Sequence, residues 1–264
     1  FPAYDAGLYR QAGSAMFEDK VLQNDRVTAV LDAGTGRVKS LRVDGEELIG
    51  GESAGFTFLE TETITSNAWQ IGRHIRELPL DQCVEMKQID NGPLRRSVRA
   101  KYRVASSTVE VLYVLDRDAD ALKLEVTVDW HEIGGTTIPV LDYRVPLSYR
   151  AKAYAYDIAG GCTRRAAVAN DVPALQYGMA ERDEGVCAVL MSDCKYGYRG
   201  TGDSLALTLI NSATSPDPYP ERGVHKLSLA LGGCKGRTSQ AERMANRLTH
   251  GFTYQSGTSH QGTL

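Results

Sequence analysis

The sequence has 264 residues, 42% of them hydrophobic and 24% charged, with a formal net charge of −3. That mix excludes a disordered chain, which needs low hydrophobicity and high net charge, and it offers no basic face for nucleic acid. No apolar run reaches the roughly 18 residues of a membrane-spanning helix, so no membrane partner is expected.

In chain order, residues 1–18 are mixed in character and read as a linker or docking segment from a preceding domain. Residues 19–264 read as one β-sandwich domain, cut short at its C-terminal end. Phe1-Pro2-Ala3-Tyr4 has neither the charged start nor the apolar stretch of a signal peptide, and no initiator Met. An excised fragment is therefore expected, and a processed chain would read the same.

Period-two alternation then dominates. In Leu122-Lys123-Leu124-Glu125-Val126-Thr127-Val128-Asp129-Trp130 the apolar residues fall on one face of a strand and the polar ones on the other. The same logic predicts strands over 27–31, 38–43, 55–60, 84–89, 95–104, 108–116 and 140–149, then over 154–158, 185–191, 205–210 and 224–231. Turn residues divide them, as in Asp32-Ala33-Gly34-Thr35-Gly36, Asp44-Gly45, Asn91-Gly92-Pro93 and Asp116-Arg117-Asp118. Many strands with short polar turns predict an all-β fold, a large antiparallel β-sandwich with few short helices. The best helical stretch is 240–250, with Ala241, Met244, Ala245 and Leu248 on one face and Gly251 as its stop.

Chemistry-bearing motifs are scarce. Neither His-x-Asp nor His-x-x-x-His occurs, and His131-Glu132 runs into Ile133-Gly134-Gly135, so no zinc pattern forms. Gly51-Glu52-Ser53-Ala54-Gly55 matches a hydrolase elbow by letter, but a strand-like run follows where the elbow needs a helix. It reads as a turn, as does Gly34-Thr35-Gly36. The five cysteines include no Cys-x-x-Cys pair, and several lie in apolar strand-like runs. They are expected to be reduced, buried thiols of a cytoplasmic protein.

Three segments stand out. Ser66-Asn67-Ala68-Trp69-Gln70-Ile71-Gly72-Arg73 combines an aromatic ring that stacks on sugars with Asn67, Gln70 and Arg73, which bond hydroxyls. The alternative is a core Trp followed by a glycine turn. Ser192-Asp193-Cys194-Lys195-Tyr196-Gly197-Tyr198 closes a strand, where binding residues such as Asp193, Lys195, Tyr196 and Tyr198 often sit. The alternative is a structural turn. Thr214-Ser215-Pro216-Asp217-Pro218-Tyr219-Pro220 reads as a rigid connector.

Taken together and in order, these segments resemble the C-terminal β-domain of glycoside hydrolase family 38, the α-mannosidases, in its cytosolic and bacterial branch. Residues 185–198, 205–218 and 223–231 carry the resemblance most specifically, and 22–25, 32–41 and 126–132 extend it upstream. Ser192 departs from the family, where Asn is usual, and Gly232-Gly233-Cys234 replaces a usual Pro-His.

The resemblance implies a galactose mutarotase-like supersandwich. It also implies an accessory part of a zinc-dependent, retaining enzyme that hydrolyses terminal α-mannosides. The catalytic carboxylates and the zinc would lie in an N-terminal catalytic domain of the same polypeptide, absent here, so no catalytic or metal residue is assigned to this chain. By analogy Asn67, Trp69, Gln70, Arg73, Asp193, Lys195, Tyr196 and Tyr198 become candidates for the edge of the cleft that takes a mannose-containing glycan. A homo-oligomeric interface is among the roles such a domain fills. Two other readings stay open: a stand-alone carbohydrate-binding module, and a mutarotase-like sugar epimerase using a histidine acid and a glutamate base from among His74, His131 and His225.

Overall fold

The structure is a computed structural model that describes residues 19–219, 221–250, 256 and 257. The expected docking segment over 1–18, the Gly251 stop and most of the closing segment lie outside the described residues. The strands run β1 (Lys20–Gln23), β2 (Val27–Leu31), β3 (Val38–Val43), β4 (Glu46–Glu47), β5 (Gly55–Glu62), β6 (His74–Pro79), β7 (Cys83–Asn91), β8 (Arg95–Val104), β9 (Ser107–Asp116) and β10 (Ala121–Trp130). They continue as β11 (Thr137–Pro146), β12 (Ala153–Ile158), β13 (Gly161–Arg165), β14 (Val172–Pro173), β15 (Tyr177–Glu181), β16 (Cys187–Ser192), β17 (Gly197–Gly200), β18 (Ser204–Asn211) and β19 (Gly223–Cys234), followed by helix α1 (Thr238–Thr249).

Three antiparallel sheets result: β1-β2-β3-β4, a nine-stranded β13-β12-β15-β16-β19-β10-β9-β8-β7, and a six-stranded β14-β17-β18-β11-β5-β6. The two large sheets face each other across one continuous core, as expected for a sandwich. Phe56 of β5 meets Tyr102 of β8 edge-on at 5.9 Å, Phe58 meets Trp130 of β10 at 6.2 Å, and Tyr198 of β17 meets Tyr156 of β12 at 6.3 Å. The small sheet adds Leu22, Val27, Leu31, Leu41 and Val43 to the same core.

β10 buries Leu122, Leu124, Val126, Val128 and Trp130 and turns Glu125 to solvent, as its alternation predicts. β16 behaves differently. Ala188 and Leu190 join the main core, while Cys187, Val189 and Met191 bury against α1 on the opposite face. Coverage on both sides explains its unbroken apolar run. The helix lays Ala241, Met244 and Ala245 over β15, β16 and β19, close to the predicted span. The edge strand β7 is bulged twice, at Cys83/Glu85 and at Gln88/Asp90, which blunts an open row of backbone groups.

Some boundaries differ from expectation. The strand predicted over 140–149 runs three residues earlier, as Thr137–Pro146. The one predicted over 224–231 continues to Cys234, straight through Gly232 and Gly233. A Cβ on Gly232 would lie 2.6 Å from Met244 Cε, and one on Gly233 would lie 2.5 Å from Val186 Cγ1 and 2.9 Å from Leu48 Cδ1. These glycines let neighbouring layers close on the strand and do not end it. The thiols are also more varied than expected: Cys187 and Cys234 are buried, Cys83 and Cys162 half-buried, and Cys194 exposed. Gly233→Ala is therefore expected to overpack the sandwich and lower stability by about 1–3 kcal/mol. Chemical denaturation measures this, and an unchanged midpoint would show that Val186 and Leu48 yield without cost.

Candidate functional site

The outer face of the six-stranded sheet carries a hollow of ≈ 650 Å³, within the usual range for small-molecule sites. Trp69, Gln70 and Ile71 wall one side, Asp171, Val172 and Pro173 another, and Tyr196 a third. Thr208 and Asn211 of β18 lie at its base.

Asn67 fixes the first wall. Its Oδ1 accepts the N–H groups of Thr214 (2.8 Å) and Ser215 (3.0 Å), and its Nδ2 donates to Thr214 Oγ1 (3.0 Å). Its carbonyl accepts from Asn211 Nδ2 at 2.9 Å. Only 2% of Asn67 is exposed, so it anchors the loop from within. The chain turns at Ser66, whose φ is +63°, and the Trp69 N–H closes back on the Ser66 carbonyl at 3.0 Å. Trp69 is thereby left 73% exposed, so it is not the core residue its alternative reading required.

Ser192 shapes the third wall. Its buried Oγ accepts the N–H groups of Cys194 (3.3 Å) and Lys195 (3.0 Å), an ordinary hydroxyl-capped turn. The Ala174 N–H donates to the Tyr196 carbonyl at 3.0 Å, which ties the turn to β14 and leaves the Tyr196 ring 57% exposed.

The structure thus brings Trp69, Gln70 and Tyr196 to one hollow, with Asn67 behind them. It places the others elsewhere. Arg73 is largely exposed and pairs with Glu62 at 3.7 Å. Asp193 is exposed and its N–H donates to Ser228 of β19 (3.1 Å). Lys195 is half-buried outside the lining. Tyr198 is fully buried, and its hydroxyl donates to the Gln176 carbonyl at 3.1 Å. The three histidines each pair locally: His74 with Glu77 (3.0 Å), His131 with Asp129 (3.1 Å), and His225 with the Glu221 carbonyl (2.6 Å). The hydrogen bond from His74 holds the Glu77 carboxyl below its ordinary range.

Beneath the hollow lies a polar group that the sequence did not announce. Arg199 of β17, 7% exposed at its side chain, donates to Asp142 of β11 and, at 2.5 Å, to Asp171. Thr208 Oγ1 touches both carboxylates, Asp142 Oδ1 at 3.0 Å and Asp171 Oδ2 at 2.6 Å. Burial pushes the Asp142 carboxyl above its ordinary range, against the opposing pull of Arg199. The two carboxylates raise Arg199 despite its burial, so it stays charged. Asn211 Oδ1 is buried without a hydrogen-bond partner. The sequence does hold one signal: Asp142 interrupts the apolar run Val140-Leu141-Asp142-Tyr143, and a carboxylate in a buried strand needs a partner.

Comparison with known proteins agrees with this architecture. The family model for the glycosyl hydrolases family 38 C-terminal domain matches residues 22–219. Alpha-mannosidase G of Dictyostelium discoideum is 25% identical over 241 residues, covering 84% of this chain and 22% of that protein. Alpha-mannosidase 2C1 of Homo sapiens is 27% identical over 236 residues, covering 83% of this chain and 22% of that protein. Among solved structures, an alpha-mannosidase from Enterococcus faecalis V583 superposes with a TM-score of 0.68 at 12% identity, over 85% of this chain and 31% of that one, a likeness of fold. The chain thus spans about a fifth of the curated relatives it matches. It belongs to the C-terminal domain family of glycoside hydrolase family 38.

Proposed function

We propose that this chain is the C-terminal β-domain of a zinc-dependent, retaining α-mannosidase of the cytoplasm. In this reading it packs on the catalytic domain of a longer polypeptide and lends the Trp69–Tyr196 hollow to the edge of the cleft that takes a mannose-containing glycan. Family membership supports the enzyme class. The convergence of two exposed aromatic rings from separate loops on one polar-floored hollow supports the cleft role. Such rings offer apolar faces to the C–H surface of a pyranose. Asp171 beneath them is a hydrogen-bond acceptor, which suits a ligand rich in hydroxyl donors.

Among the described residues no group of three or more His, Cys, Asp or Glu stands together as metal ligands. The described residues do not fit a zinc site, and no step of the chemistry is assigned to them. A cytoplasmic setting accords with five cysteines that form no disulfide, and no helix among the described residues is long and apolar enough to cross a membrane. A second reading, a carbohydrate-binding module, is favoured by the two exposed rings of Trp69 and Tyr196 that flank one hollow.

Trp69→Ala and Tyr196→Ala in the intact enzyme are each expected to raise KM for an α-mannoside about 2- to 12-fold, equivalent to ~0.5–1.5 kcal/mol of lost ring contact. Steady-state kinetics tests this; unchanged KM and kcat for both variants would remove the hollow from the cleft. The isolated chain is expected to leave an aryl α-mannoside intact, and turnover by the chain alone would overturn the accessory role. Calorimetry of the isolated chain with mannose addresses the second reading, where saturable heat supports a binding module and its absence rejects one.

A further inference from the structure

The polar group under the hollow is one hydrogen short. Arg199 supplies a hydrogen to Asp142 Oδ2 and another to Asp171 Oδ1. The remaining oxygens, Asp142 Oδ1 and Asp171 Oδ2, both lie at hydrogen-bond distance from one atom, Thr208 Oγ1, at 3.0 and 2.6 Å. A threonine hydroxyl has a single hydrogen to give. If both acids were ionised, one of these contacts would set lone pair against lone pair within a largely buried group. A proton on one acid removes the conflict. That acid donates to Thr208, and Thr208 donates to the other.

Solvent decides which acid holds it. The Asp142 side chain is 1% exposed and belongs to the central strand β11, whereas Asp171 is 14% exposed and borders the open hollow. Water stabilises an anion at Asp171 far more than at Asp142, whose side chain is almost wholly covered. The other charged groups near Asp142 are Glu77 of β6 and Arg144 of β11. They stand 4.0 Å apart and line, with Asp142 and Arg199, a pocket of ≈ 70 Å³ on the far side of the network. Arg199 itself is shared between two acids, so one guanidinium does not neutralise two buried anions.

We propose that Asp142 carries a proton at neutral pH and acts as a positioning residue, which, through Thr208 and Arg199, holds Asp171 as the single anion on the floor of the hollow. Asp171 then keeps a fixed orientation with lone pairs free toward the cavity. That this anion meets a sugar hydroxyl rests on the reading of the hollow given above; the placement of the proton does not.

Asp142→Asn tests it, because a carboxamide reproduces the protonated acid: its N–H₂ donates to Thr208 and its oxygen accepts from Arg199. An acid that keeps its proton in the fold after the unfolded chain has lost it contributes stability at low pH that fades as pH rises. The melting temperature of Asp142→Asn is therefore expected to gain on the wild type as pH rises from about 4 to neutrality. An ionised, ion-paired Asp142 gives the opposite slope, with the wild type gaining on the variant, and that result overturns the proposal. Asp171→Asn is expected to cost more stability than Asp142→Asn at neutral pH, and the reverse order would put the proton on the wrong residue. Should Asp142→Asn not fold, the carbon-13 shift of the Asp142 carboxyl in wild-type chain decides: the protonated position at neutral pH supports the assignment and the carboxylate position refutes it. Sugar plays no part in these measurements, so their failure leaves the cleft reading standing, and inert Trp69 and Tyr196 variants leave the proton where it is.

Discussion

The pairing of β10 with β19 is the constraint on which the rest of the molecule depends. Ten residue pairs in unbroken register, from Ala121–Gly232 to Trp130–Gly223, join two runs of sequence that are far apart. On one side of this seam lie β7, β8 and β9, and on the other β12, β13, β15 and β16. Without it the nine-stranded sheet would be two ribbons, each with an open edge and a half-covered apolar face. With it, Leu122, Leu124, Leu229 and Leu231 form one surface against which the six-stranded sheet closes. Gly232 ends this seam and Gly233 follows it, and the two admit α1 from one side and the core from the other.

Closing the sandwich also settles where polarity is tolerated. The inner face of the six-stranded sheet is apolar, so Asp142 and Arg199 are directed to its outer face. There they are covered by the Asp171 segment and by each other. Removing Asp171 would leave the buried Arg199 charge without its anionic partner, a loss of about 3–5 kcal/mol. The network therefore ties together three pieces that share little sequence: the central strand β11, the short strand β17, and the approach to β14. The walls of the hollow stand on that tie.

Much of the fold was legible because one face of each long strand is wet and the other dry. β8, β9 and β10 announce themselves by alternation, and α1 by its apolar stripe. Legibility fails where coverage is irregular. β6, β13, β14 and β17 are short or lie at sheet edges, and their residues alternate weakly. Gly232-Gly233 reads as a strand end only because sequence does not show what packs beside it. At the site, Trp69, Gln70 and Tyr196 were visible as loop residues of suitable chemistry. Their meeting was not, because it follows from β5 and β17 belonging to one sheet. Asp171 and Asn211 were missed for the same reason: each looks ordinary until chain closure sets it beside Arg199 or Asn67.

The clamp made by Asn67 has a further meaning for how this surface changes over generations. It grips main-chain amides at Thr214 and Ser215 and a side-chain hydroxyl, and asks nothing of the residues at the loop tip. Trp69 and Gln70 project beyond the grip into solvent. Substitutions there leave the anchoring bonds in place, so the chemistry of the loop tip is free to drift while the scaffold stays fixed. Asn67 itself has no such freedom, because neither Asp nor Ala reproduces its donor and acceptor together. The surface is divided into a part that selection must hold and a part with which it can experiment, and the boundary runs between Asn67 and Trp69, with Ala68 alone between them.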